Sequence, residues 1–166
     1  RKKETLNTVY LRLPAYCFIL FFPGFFIAYL ISLSSFSNSS VMIIIFLTMV
    51  FGNDTFAYIF GMAFGGKNRG IFPVSPNKSI AGLIGGIAAA GLIGYVYFLF
   101  FPGIFINNIY IAVLTGVGIA LTSVIGDLLE SALKRSADVK DSGTIMQGRG
   151  GVLDTIDSIL FSAPLF

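Results

Sequence analysis

An all-α, polytopic bundle of membrane-spanning helices is the fold class this 166-residue sequence predicts, on three observations. Apolar residues make up 55% of the chain and charged residues only 11%, where a soluble domain carries about 25% charged residues. The apolar residues gather in runs close to the ~20 residues a helix needs to cross the hydrocarbon of a bilayer. Every Lys and Arg lies outside those runs, in alternate connections.

The first run covers residues 13–33 and is interrupted by Pro23-Gly24. The second covers 41–64, the third 80–101 and the fourth 109–129. A shorter fifth, 152–166, carries Asp154 and Asp157 near its start. Stretches such as VMIIIFL and GIAAAGLIG lack the alternation of a membrane strand. Helices, whose backbone groups bond internally, are therefore expected. In the third run Gly82 and Gly86 form a GxxxG face that Gly91 and Gly94 extend. Such a face lets helices approach closely, inside a bundle or at the seam of a homodimer.

The connections orient the chain. Arg1, Lys2, Lys3 and Arg12 precede the first run, Lys67, Arg69 and Lys78 follow the second, and Lys134, Arg135, Lys140 and Arg149 follow the fourth. The two remaining connections hold no basic residue. The positive-inside rule puts the basic connections in the cytoplasm. Topology alone accounts for these charges, a reading that stands beside any ligand role, and no nucleic-acid partner is expected.

Composition also limits the chemistry. With no His, imidazole acid–base catalysis, Ser-His-Asp triads and His metal ligands are excluded. The single Cys17 excludes an internal disulfide and CxxC chemistry. A bound metal must take oxygen ligands, which points to a hard cation such as Mg²⁺.

Six of the eight acidic residues fall between 127 and 157. Asp54 stands midway along the second run, where an ionised side chain costs at least ~2.5 kcal/mol and normally faces a polar cavity. Asp127 and Glu130 are three residues apart, as are Asp154 and Asp157, so each pair shares a helix face. Two helices ending on one side of the membrane would present Asp127 and Asp154 to each other. Carboxylates so placed repel unless a cation lies between them or a proton is taken up, and a divalent ion is the simplest answer. The plainer reading pairs each acid with a neighbouring base: Glu130 with Lys134, Asp138 with Arg135, Asp141 with Lys140. Around them Gly143, Gly148, Gly150 and Gly151 give a loop whose N–H groups can approach an anion. Acids for a metal, with bases and open amides for phosphate, suit phosphoryl or nucleotidyl transfer.

The stretch 131–157, SALKRSADVKDSGTIMQGRGGVLDTID, resembles the C-terminal signature of phosphatidate cytidylyltransferases (CDP-diacylglycerol synthases). Ser131, Lys134, Arg135, Lys140, Asp141, Gly148, Gly150, Gly151, Asp154 and Asp157 match it without a gap. Gly126-Asp127-Leu128 with Glu130, Asp54-Thr55-Phe56-Ala57-Tyr58, and Ser75-Pro76-Asn77-Lys78-Ser79 resemble further family segments. The resemblance implies a Mg²⁺-dependent membrane enzyme of phospholipid biosynthesis that condenses CTP with phosphatidic acid to CDP-diacylglycerol and pyrophosphate. A second, monovalent cation is compatible with it.

Carried over, Asp127 and Asp154 become metal ligands. Lys140, Asp141 and Asp157 join them as catalytic residues. Lys78, Lys134, Arg135, Gly150 and Gly151 become substrate-binding residues, and Arg149, in the place of the family His, is a further substrate-binding candidate as a permanent cation. The chain is then expected to be one transmembrane domain, the C-terminal catalytic part of a longer protein. Its lipid substrate lies in the bilayer and its active site faces the cytoplasm, at a bacterial inner membrane. The sequence departs from the signature at Arg149, where the family turn has His, at Thr155, where it has Arg, and at Ala81, where an acidic or amide side chain is common. Those departures keep open a diverged, inactive member acting as a membrane partner. Asp54 and the glycine-rich run keep open a transporter.

Overall fold

Apolar runs become helices here because each backbone N–H and C=O must be satisfied where no water reaches. The structure is a computed structural model and describes residues 24–66, 68–70, 72–136, 138–139, 142–143, 151 and 153–166. Helix α1 covers Gly24–Leu33, α2 Ser39–Phe64, α3 Ile80–Phe100, α4 Ile109–Ser136 and α5 Leu153–Ser162. Short 3₁₀ turns at Pro102–Phe105 and Ala163–Leu165 follow α3 and α5. No strand occurs among the described residues, which bears out the all-helical fold class. Helices α2, α3 and α4 are long and apolar enough to cross a membrane, as expected of an integral membrane protein. The part of the first expected span before Gly24 lies outside the described residues.

The second and third runs match α2 and α3 within two residues. The fourth does not: α4 runs to Ser136, seven residues past the end of its apolar run. Glu130, Lys134 and Arg135 end the hydropathy signal without ending the helix. Glu130 and Lys134 are an i, i+4 pair, and basic residues suit a helix C-terminus. At 1.5 Å per residue, 28 residues are about 42 Å, longer than the ~30 Å hydrocarbon.

Helix α3 packs between α2 and α4, and glycines set how closely. A Cβ on Gly86 would meet Asn53 of α2. A Cβ on Gly94 would meet the carbonyl of Ala112 of α4, and one on Gly116 the carbonyl of Ala90 of α3. The small-residue face of α3 is thus spent on helices of its own chain. Gly116→Val is expected to cost about 1–3 kcal/mol through overpacking. The check is the thermal unfolding midpoint in detergent, with Gly103→Ala, at a glycine with open space around it, as the silent control.

The apolar core gathers toward the end away from the basic connections, around Ile45, Phe46, Met49, Val50, Phe105, Ala112 and Ile119. At the opposite end α2, α4 and the connection before α3 enclose a cavity.

Candidate active site

The cavity has a volume of about 590 Å³ and is lined by Asp54, Asn53, Tyr58, Arg69, Lys78, Ser123 and Asp127 among others. Each helix contributes through a local feature of its sequence. Ser79 caps α3: its Oγ accepts the Gly82 N–H at 3.1 Å. The cap is buried against Gly61 and Gly65 of α2, where larger side chains would collide with it. Lys78 is therefore held at the mouth of the cavity, immediately before the helix. Its Nζ lies 2.5 Å from Asp127 Oδ2 on α4.

Deeper in, Asp54 is not isolated. Its Oδ1 accepts hydrogen bonds from Asn53 Nδ2 at 3.1 Å and Ser123 Oγ at 3.5 Å. Asn53 is 1% exposed and also reaches Ser123 Oγ at 3.4 Å. This polar knot joins α2 to α4 inside the bundle. It is what an acid in an apolar helix requires.

Beside the cavity, α4 and α5 bring their acids together. Asp127, Glu130 and Asp157 each offer a carboxylate oxygen, and the three oxygens lie within 4.8 Å of one another. Glu130 is 6% exposed, and its Oε1 has no hydrogen-bond partner among the described residues. Its Oε2 accepts from Lys134 Nζ at 2.9 Å. Lys134 Nζ also reaches Asp154 Oδ1 at 2.6 Å, so one ammonium ties α4 to α5.

The other oxygen of Asp154 organises the chain before α5. Oδ2 accepts from the Gly151 N–H at 2.6 Å, and from the Ser142 N–H and hydroxyl at 2.8 Å each. Residues 142 and 151 are thereby fastened to one carboxylate at the start of α5, where negative charge also suits the helix dipole.

The expected residues thus fall into distinct places. Lys78, Asp127, Lys134, Asp154 and Asp157 converge at one end of the bundle. Asp127 stands with Glu130 and Asp157, while Asp154 is engaged by Lys134, Ser142 and Gly151. Arg135 is exposed at the end of α4, and Gly151 is buried at the loop's end. Lys140, Asp141, Arg149 and Gly150 lie outside the described residues. The local pairing of Glu130 with Lys134 is present. Asp127 and Asp154, which have no base at helical spacing, find one across the fold.

A sequence model of the cytidylyltransferase family matches residues 3–166. The chain belongs to the cytidylyltransferase family. It is similar to proteins named phosphatidate cytidylyltransferase. That of Rickettsia bellii is 39% identical over 145 residues, covering 84% of this chain and 62% of the relative. That of Staphylococcus haemolyticus is 45% identical over 118 residues, 70% of this chain and 44% of the relative. That of Aquifex aeolicus is 35% identical over 151 residues, 90% of this chain and 54% of the relative. The chain therefore spans roughly half the length of these relatives.

For a cytidylyltransferase-family site, sequence reasoning missed Asn53, Ser123 and the clustering role of Glu130. Asn53 had a signal, being a second polar side chain beside Asp54 within an apolar run. Ser123 had little, since a hydroxyl in a membrane helix can satisfy itself on its own backbone.

Proposed function

We propose that this chain carries the catalytic part of a phosphatidate cytidylyltransferase, joining CTP to phosphatidic acid to form CDP-diacylglycerol and pyrophosphate. The observation that supports this best is the convergence of Lys78, Asp127, Lys134, Asp154 and Asp157 beside one cavity, in a chain of this family.

The nucleophile is a phosphate oxygen of phosphatidic acid, already anionic, so no side chain need remove a proton. This suits a chain without His. That oxygen bonds to the α-phosphorus of CTP as the bond to the β-phosphate oxygen breaks and pyrophosphate leaves. The difficulty is the approach of two polyanions. Lys78, Lys134 and Arg135, with Lys140 by resemblance, neutralise phosphate charge, and Arg149, where the family has His, would add a permanent cation. Holding lipid and nucleotide in one cavity supplies proximity.

The acids suit Mg²⁺. Every donor is a carboxylate oxygen, three of them lie within 4.8 Å, and Glu130 Oε1 is buried without a partner among the described residues. Asp127, Glu130, Asp154 and Asp157 against Lys78 and Lys134 leave two formal negative charges, which one divalent ion balances. Asp127 would hold it with Glu130 and Asp157 beside, and Asp154 would join on release from Lys134. When bound, Mg²⁺ supplies neutralisation of the CTP phosphates and of the departing pyrophosphate. The cavity lies at the end of the basic connections, which supports a site on the cytoplasmic face of a bacterial inner membrane.

The test is transfer of label from CTP into chloroform-soluble lipid by membranes holding the full-length protein. Labelled lipid is expected only with both phosphatidic acid and Mg²⁺, and to be lost with EDTA. Correctly inserted protein that labels no lipid overturns the proposal.

A further inference from the structure

Lys78 sits on a firmly held piece of backbone. Its N–H donates to the Ser75 carbonyl at 3.2 Å, Ile80 N–H to the Asn68 carbonyl at 3.2 Å, and Gly70 N–H to the Pro76 carbonyl at 3.0 Å. The Ser79 cap then fixes the next residue. What can move is the side chain, a flexible four-carbon stem with a compact charge at its tip.

That charge rests on Asp127 Oδ2, and Asp127 is also a member of the acid triplet. An ammonium and a divalent cation on this one carboxylate weaken each other's hold. Their charges repel across the short span of a carboxylate. Lys134 is placed differently, gripped by carboxylates on two helices at once. Lys78 has no second carboxylate among the described ion pairs and borders the open cavity.

We propose that Lys78 is a displaceable counter-ion of Asp127, released into the cavity when a divalent cation takes the carboxylate. Lys78 neutralises Asp127 while the cation is absent. Once freed, its ammonium is within the space where a substrate phosphate would lie. Cation binding and anion binding are thereby coupled through one side chain, with the cation favouring the phosphate that follows. This rests on the divalent-dependent reading above and adds an order to it.

The experiment uses the full-length protein in lipid nanodiscs with Mn²⁺ as the probe. Free Mn²⁺ is followed by electron paramagnetic resonance, and lysine acylation by mass spectrometry. Saturating Mn²⁺ is expected to raise acylation of Lys78 about fivefold, the ratio matching ~1 kcal/mol for a partly exposed ion pair. Acylation of Lys134 should not rise. Lys78→Met should bind Mn²⁺ tighter by about the same factor, and Lys78→Arg should restore wild-type affinity. Arg69→Gln, which removes another charge lining the cavity, should change affinity less.

Mn²⁺ that binds wild-type protein without raising Lys78 acylation overturns this inference and leaves the divalent reading standing. So does a Lys78→Met affinity no tighter than that of Arg69→Gln. Wild-type protein that binds no Mn²⁺ overturns the divalent reading, and this inference with it. Should Lys78→Met fail to fold, acylation of the wild-type protein decides alone.

Discussion

Asp127→Asn is expected to lower cytidylyl transfer by about a thousandfold, some ~4 kcal/mol of barrier. The substitution keeps the shape of the side chain and removes its charge. Two neighbours lose by it: Lys78 is left without its carboxylate, and the triplet with Glu130 and Asp157 is reduced to two acids. The apolar surface of α4 is untouched, so membrane insertion should be normal. The check is label transfer measured beside the amount of correctly inserted protein. Near-normal turnover by well-folded Asp127→Asn protein would remove Asp127 from the proposed chemistry.

Lys134→Met should act on stability as well as on turnover. Its ammonium stands between Glu130 and Asp154, whose side chains are both 6% exposed. Deleting the shared cation leaves two carboxylates facing each other with little water to help. Breaking a buried pair from one side costs about 3–5 kcal/mol. The loss should appear first where α5 docks on α4, as faster proteolysis between residues 136 and 153. Adding Glu130→Gln should recover part of it, because one of the two stranded charges is then gone. Equal protease resistance of Lys134→Met and wild type would show that the α4–α5 contact does not depend on this ammonium.

Periodicity and hydropathy are local properties, and what was local could be read. The extents of α2 and α3 follow from where apolar residues begin and stop. The Glu130–Lys134 pair follows from helical spacing. The extension of α4 to Ser136 escaped because charge ends a hydropathy run without ending a helix. The bases of Asp127 and Asp154 escaped for a different reason. Lys78 lies in the connection before α3 and Asp127 on α4, and Lys134 meets Asp154 across the α4–α5 contact, so spacing along the chain says nothing of either. The grouping of Asp127 with Glu130 and Asp157 likewise depends on how α5 lies against α4. Family resemblance named Asp127 and Asp157 as site residues but not Glu130, the third acid of the cluster. It did not say which of them touch.

The division of the bundle into a polar end and an apolar end bears on permeability. Asp54 is ten residues from the end of α2, so the polar hollow reaches about 15 Å down, half the depth of the hydrocarbon. Such a hollow on its own would be half of an ion pathway. Beyond it stand Ile45, Phe46, Met49, Val50 and Ile119, fully buried and without a polar group to pass a proton or shed a hydration shell onto. Among the described residues those side chains form an apolar layer beneath the polar cavity. An apolar layer of this kind beneath a polar cavity is the arrangement expected to keep charge that enters from one face from crossing to the other.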